Sequence, residues 1–399
     1  MTEAKVIPNE EYNRLHGLNG TPQPEQRKCP HLGLPVMDAT GTPLKRTCEP
    51  CGGKQRQIFD CKHPAREPDQ VTQEDCWTCG YRPKPDTKAT PIILRNFLSP
   101  GDVLCMTAAI HSLHKHHPGK FLTAVTTSCD AVFENNPDVV PLGHAQYLGA
   151  KEIEMNPKDN PTNLINQSNQ LAVHVLQRDC HHLEKTLGVP VPLATNRPHV
   201  FVSNREKTWM NQVEEITHRK MKFWLVNAGV KTCYTAKQYP WFQEVVDRLQ
   251  GKVVFAQIGK LEHVHTPLRG VINLLGKTDD RQLIRLCYHA SGVLCGVTYL
   301  MHLAAAFEKP AVIVAGGREP RLWNQYPMQV LLSTVGMLPC CQSACWKSRT
   351  IPLRDGDAKD ESLCESPTLT EPASPKCMAM ISPETVCNSI ESYYNGGAL

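Results

Sequence analysis

Four short stretches of this 399-residue chain carry side chains suited to chemistry. The turn Ser99-Pro100-Gly101-Asp102 puts a carboxylate where a strand gives way to a helix, and a carboxylate there can take a proton from an incoming hydroxyl. Lys237 stands in a loop just before a helix, placed to meet an anionic leaving group. In the run Val297-Thr298-Tyr299-Leu300-Met301-His302, Thr298 can cap a helix whose free N–H groups would hold phosphate, with His302 one turn further on. The loop Gly316-Gly317-Arg318-Glu319-Pro320 lets a ligand approach its glycines closely and offers Arg318 to a phosphate. Each has an ordinary alternative: a capping Asp, a solvated Lys, a packed His, a plain turn.

The cysteines form a second chemical signal. Of 18, six lie between Cys29 and Cys79 and five between Cys340 and Cys377. In a reducing compartment such clusters hold metal more readily than they form disulfides. Two Cys-x2-Cys knuckles, Cys48/Cys51 and Cys76/Cys79, give a tetrahedral thiolate site that suits a structural zinc ion. Cys29 and Cys61, with His31 or His63, would complete a second site or substitute for a ligand. The later cluster, Cys340, Cys341, Cys345, Cys364 and Cys377, is looser, and four thiolates there accept either iron or zinc. The other seven cysteines are scattered singly and read as small buried hydrophobes.

The elements that must position these residues are short apolar strands alternating with helices. Residues 1–28 read as a polar tail, 29–81 as a Cys-rich module with too little apolar surface to fold without metal, and 82–88 as a stiff linker. Then come a strand at 92–97, a helix at 102–117 with Val103, Met106, Ile110 and Leu113 on its core face, and a strand at 121–126. Residues 141–169 resist reading, and 171–187 has helical spacing. A second series follows: strand 223–227, helix 241–249, strands 253–258 and 271–274, helix 279–290, strand 292–295, helix 298–307 and strand 311–315. A last helix has Ser382 as its cap and Pro383 at its first position. Two such series predict an α/β architecture of two doubly wound domains facing a cleft, over about 89–215 and 216–399, with residues 1–88 as tail and metal module.

Composition is that of an ordinary globular protein, 41% hydrophobic and 21% charged. A net charge of +4 is too small for a polyanion-coating protein, so nucleic acid is not called for. No apolar run reaches the ~20 residues of a membrane helix. Glu3, Glu10 and Glu11 argue against a secretory signal, and the expected location is the cytoplasm.

Taken in order, the motifs resemble glycosyltransferase family 9, the ADP-heptose heptosyltransferases. The N-terminal half carries Asn96-Phe97-Leu98-Ser99-Pro100-Gly101-Asp102-Val103-Leu104, then His117-Pro118 and Asn136-Pro137-Asp138-Val139. The second half carries Asn227-Ala228-Gly229, Lys237-Gln238-Tyr239-Pro240, Ile272-Asn273-Leu274-Leu275-Gly276-Lys277-Thr278 and the passage from Met301 to Pro310. The resemblance implies a GT-B architecture, two Rossmann-like domains with the active site between them. It also implies transfer of a sugar from a nucleotide diphosphate to an acceptor hydroxyl with inversion and without a catalytic metal. Asp102 then matches the catalytic base and Lys237 the phosphate-binding lysine. Thr298, Tyr299, Met301 and His302 match the donor-binding loop, with Arg318 as a further donor contact. The family's carboxylate in that loop is Val297 here, and a glycine is Tyr299, which opens the donor to sugars other than heptose. The late cysteines resemble the four-cysteine iron finger of the heptosyltransferases that modify bacterial autotransporters, with Cys341, Cys345, Cys364 and Cys377 as ligands.

The expected partners are a nucleotide-sugar donor of the ADP-heptose type and a glycan or protein acceptor, and a homo-oligomer is among the assemblies this reading allows. Alternatives are the same fold with a non-heptose donor, a sugar-nucleotide or glycan-binding protein that has lost catalysis, and a nucleic-acid-modifying transferase.

Overall fold

A computed structural model describes residues 89–155, 164–265, 267–369 and 372–395, together with the backbone of four strands nearer the N-terminus. Those four are β1 (Leu32–Pro35), β2 (Lys45–Cys48), β3 (Lys54–Cys61) and β4 (Asp69–Thr72). β3 pairs antiparallel with the other three. No strand is expected there from apolar periodicity. The missed signal is the pair Gly52-Gly53 between β2 and β3, a common composition for a hairpin connection. Cys48 and Cys61 end strands in this sheet, while Cys29, Cys51, Cys76, Cys79, His31 and His63 lie outside the described residues.

The next sheet is parallel and three-stranded, in the order β6 (Phe121–Thr127), β5 (Thr90–Asn96), β7 (Lys151–Glu154). Alternation along β5 decides what covers each face. Ile92 and Leu94 join the main core with helix α1 (Pro100–His116), whereas Ile93 packs with Ala124 and Ala145 beneath α2 (Leu142–Tyr147). The unread stretch 141–169 thus supplies α2 and the edge strand. This half is wound on both faces but is smaller than the full doubly wound sheet expected. After helix α3 (Val175–Leu187) the chain runs on without a strand, because Pro190, Pro192 and Pro198 lack the N–H that a ladder needs. α3 starts at Val175 rather than 171. His174 closes its N-terminus, its ring accepting Leu176 N–H at 3.3 Å while Gln177 Oε1 accepts the His174 N–H at 2.7 Å.

The C-terminal sheet has six parallel strands. Spatially they run β10 (Ile272–Asn273), β9 (Phe255–Gln257), β8 (Trp224–Asn227), β11 (Gly292–Gly296), β12 (Ala311–Gly316), β13 (Gln329–Ser333). This is the doubly wound order in which the chain direction of strand addition reverses between β8 and β11. Apolar periodicity gives no sign of β13; Gln329-Val330-Leu331-Leu332-Ser333 pairs parallel with β12, with a register shift between Val314 and Gly316. The four inner strands, β9, β8, β11 and β12, are buried on both faces and sort their side chains by parity. Trp224, Val226, Leu294, Val312 and Val314 pack under α4 (Phe242–Arg248) and the last helix, α5 (Pro383–Asn395). Leu225, Val293, Cys295 and Ile313 face α6 (Asp280–His289) and α7 (Tyr299–Ala306).

That second cluster is continuous with the core of the smaller sheet. α1 is buried all round from Val103 to Ile110, beyond the single face expected, because α7 of the other half packs on it. A buried ion cluster ties the halves as well. Glu206, in the connection between them, takes Arg281 Nε at 2.6 Å and Arg285 Nε at 2.8 Å, and Arg281 also reaches the Ala131 carbonyl at 3.0 Å. No described helix is long and apolar enough to cross a membrane.

Candidate active site between the two sheets

The carboxyl ends of β5, β8 and β11 open onto one cleft of about 610 Å³. Strand order predicts this place, since loops after β8 and β11 diverge at the switch point. Asp102, Lys237, Thr298, Tyr299, His302 and Arg318 all line it, contributed by both halves. Met301 does not. It lies one position from His302 on α7, and its side chain turns into the core at 0% exposure. Two neighbours on a helix differ by about 100° in direction, so both cannot face one cleft squarely.

Asp102 sits in the first turn of α1, where its charge favours the helix dipole. Its Oδ1 accepts from Arg178 Nη1 at 2.7 Å. Arg178, itself 2% exposed, binds Asp179 through Nε at 2.9 Å and Nη2 at 3.2 Å. Arg178 is not among the residues singled out from sequence, though its position is a signal: Arg178 and Asp179 interrupt the apolar stripe of α3 between Val175 and Leu183, and a charged pair on a buried stripe must be mutually satisfied. Burial pushes the Asp179 carboxyl up from its ordinary range despite Arg178.

Across the cleft, Lys237 Nζ lies 2.7 Å from Glu319 Oε1 and donates to the Val297 carbonyl at 3.2 Å. Burial lowers the Lys237 ammonium from its usual value, and Glu319 opposes that. Glu319 is 5% exposed; burial would raise it, but Lys237 and Arg318 outweigh that and hold it at about 2. Arg318 is already engaged. Its Nη1 pairs with Glu319, Nε donates to the Lys347 carbonyl at 2.5 Å, and the guanidinium lies 5.3 Å from the Tyr234 ring centre and 5.4 Å from that of Trp346. Lys231, a cleft residue not singled out from sequence, donates to Ser99 Oγ at 2.7 Å. Ser99 is the cap residue of α1, and this bond across the halves engages its hydroxyl in place of a cap hydrogen bond.

Thr298 caps α7 by position without a side-chain cap bond, leaving the first N–H groups of the helix at the cleft. The Tyr299 hydroxyl meets Cys129 Sγ at 4.0 Å on the opposite half. The His302 ring is 2.8 Å from the Tyr326 hydroxyl through Nδ1, and burial lowers it to about 3, so it is neutral at physiological pH. When Tyr326 donates to Nδ1, the ring proton sits on Nε2. A Cβ on Gly101 would stand 3.3 Å from this ring, which is how closely α1 and α7 approach.

Behind the Lys237 wall, Cys340, Cys341, Cys345, Cys364 and Cys377 line one small cavity with Ala236 and Arg318. A Cβ on Gly317 would lie 2.5 Å from Cys341 Sγ, so only glycine fits there. Among the described residues no three His, Cys, Asp or Glu groups stand in a metal-holding arrangement.

The sequence profile described as Glycosyltransferase family 9 (heptosyltransferase) matches residues 162–349, a span holding Arg178, Lys237, His302 and Glu319. Over that span the chain carries a heptosyltransferase-like glycosyltransferase domain. Among solved structures, the transferase is similar to the E. coli ADP-heptose lps heptosyltransferase II, at 14% identity over 77% of this chain and 100% of that one, with a TM-score of 0.51. It is also similar to TibC, a dodecameric iron-containing heptosyltransferase crystallised with ADP-D-beta-D-heptose, at 16% identity over 86% of this chain and 83% of that one, TM-score 0.52. A second TibC structure, from enterotoxigenic E. coli H10407, gives 0.50 at 16% identity, over 86% of this chain and 84% of that one. At such identities the likeness speaks to the fold. No curated protein matches the chain. The profile match begins after Asp102, so the position of that carboxylate is known from the fold alone.

Proposed function

We propose that the transferase moves a heptose-type sugar from an ADP-linked donor to the hydroxyl of a glycan or protein acceptor, with inversion. The observation that carries this reading is that one cleft gathers Asp102 from the smaller half and Lys237, Thr298 and His302 from the larger. The acceptor O–H gives its proton to Asp102 through Oδ2, the oxygen that Arg178 leaves to the cleft. The acceptor oxygen then forms a bond to the anomeric carbon on the face opposite the diphosphate, and the bond to the diphosphate breaks. A single displacement of this kind inverts the centre. Lys237, the first N–H groups of α7 and His302 Nε2–H receive the charge that develops on the leaving diphosphate.

The late cysteines supply the donor chemistry of a thiolate site and line one cavity, although no three of these described residues stand in a metal-holding arrangement. Cys341, Cys345, Cys364 and Cys377 would hold iron or zinc, which supplies a cross-link in this loop-rich extension. Cys48, Cys51, Cys76 and Cys79, with Cys29 and Cys61, remain the proposed zinc ligands of the N-terminal module. A cytoplasmic location and an assembly of several copies complete the proposal, the latter testable by light scattering.

The deciding experiment supplies ADP-heptose and assays donor turnover and ADP release. Asp102→Asn should lower kcat by about 10²- to 10⁴-fold, the contribution of a positioned base, while ADP still binds. Unchanged turnover in Asp102→Asn would remove the base from this scheme.

A further inference from the structure

We propose that Glu319 is a positioning residue for transfer: it aims the Lys237 ammonium at the place where the diphosphate leaves. The inference rests on the reading of Lys237 given above and adds a residue to it. Glu319 follows β12 at the carboxyl end of the large sheet, where it is buried and held from three directions. Oε1 takes Lys237 Nζ at 2.7 Å and the Arg318 guanidinium, and Oε2 takes Asn324 Nδ2 at 2.5 Å. A carboxylate fixed in this way presents its lone pairs in set directions, so the ammonium it holds is set too.

Arg318 belongs to the same device, with Nη1 on Glu319 and Nε on the Lys347 carbonyl. The Lys347 carbonyl and the Tyr234 and Trp346 rings fix its position, so it pins Glu319 in turn. Lys237 differs. Of the three N–H donors of an ammonium, one goes to Glu319 and one to the Val297 carbonyl, which leaves one for the cleft.

Removing the carboxylate has a consequence that loss of packing alone lacks. Lys237 would be left half-buried beside Arg318 on the loop after β12. The other groups facing it are Asp102 from α1, the neutral His302 from α7 and Tyr234 from its own segment. Burial and the Arg318 charge both disfavour the ammonium, and the remaining anion, Asp102, is held by Arg178. Lys237 therefore loses its proton at lower pH, and with it the attraction for diphosphate.

The test uses the full chain with Glu319→Gln and Glu319→Asp, and ADP as probe. Calorimetric titration across about pH 6 to 9.5 is paired with the pH profile of kcat/KM. In Glu319→Gln, ADP binding is expected to stay near wild type at the acid end. Its alkaline fall should move down by about 1 unit or more, the scale of one charge at contact distance, costing about tenfold in affinity at mid-limb. Glu319→Asp should keep the wild-type limb but lower kcat at unchanged acceptor KM, since the charge remains and the aim is lost. An unmoved limb in a folded Glu319→Gln protein overturns the inference. If that variant does not fold, Glu319→Asp decides, and wild-type kcat in it overturns the inference. Wild-type protein that binds no ADP at any pH overturns the reading of Lys237 and this inference together.

Discussion

Arg178 offers the sharpest test of how the cleft is built, because one side chain serves both a buried charge and the proposed base. In Arg178→Met, Asp179 keeps a carboxylate at 1% exposure with no cation beside it. Breaking a buried pair from one side costs about 3–5 kcal/mol, a large share of the ~5–15 kcal/mol of a typical domain. Asp102, a third exposed, adds little to that figure. The penalty should depend on pH with an unusual sign. Burial already pushes the Asp179 carboxyl up, and loss of Arg178 pushes it further, so the folded variant binds a proton at a pH where the unfolded chain does not. Acidification then favours the fold, and the gap to wild type should narrow between about pH 7.5 and 5. Urea melts followed by circular dichroism at the two pH values measure this. The double variant Arg178→Met/Asp179→Leu removes both charges and should recover most of the stability, since an apolar pair of similar volume is often neutral there. It leaves Asp102 without its anchor, so kcat should remain down by about 10²-fold. A double variant that regains stability and turnover alike would refute the positioning argument, and a single variant that costs under about 1 kcal/mol would refute the burial argument.

Two further outcomes follow from packing and from the cysteines. Gly292 opens β11 directly against the Trp224 ring, and a Cβ there would lie 2.3 Å from it, so Gly292→Ala should destabilise by about 1–3 kcal/mol in thermal melts while ADP still binds. Elemental analysis of purified protein should find thiolate-bound metal, and Cys377→Ser should lower its stoichiometry and the melting temperature. Full metal content in Cys377→Ser would exclude that residue as a ligand.

Most elements of the large sheet are legible because its inner strands are short, mostly apolar runs bounded by turns, as a parallel sheet covered on both faces requires. β13 escaped because Gln329 and Ser333 make it look like an ordinary loop once Pro327 has interrupted the chain. In the smaller half the difficulty was of another kind. Its third strand, Lys151–Glu154, buries only Ile153 and exposes Lys151, Glu152 and Glu154, a pattern with almost no hydrophobic signal. Only pairing with β5 makes it a strand.

Residue types and local turns placed Asp102 and Thr298 just past strand ends, Lys237 in the loop before a helix and His302 one turn into its helix, because capping and chain reversal depend on near neighbours. Tertiary structure alone decided what those groups touch. Arg178 reaches Asp102 across 76 positions, and Glu319 reaches Lys237 only because β8 and β12 lie in one sheet with their carboxyl ends aligned. It also turned Met301 into the core and packed α1 on α7. Charge pairing in a buried cleft acts through space over a few ångströms, whereas sequence patterns report only neighbours along the chain.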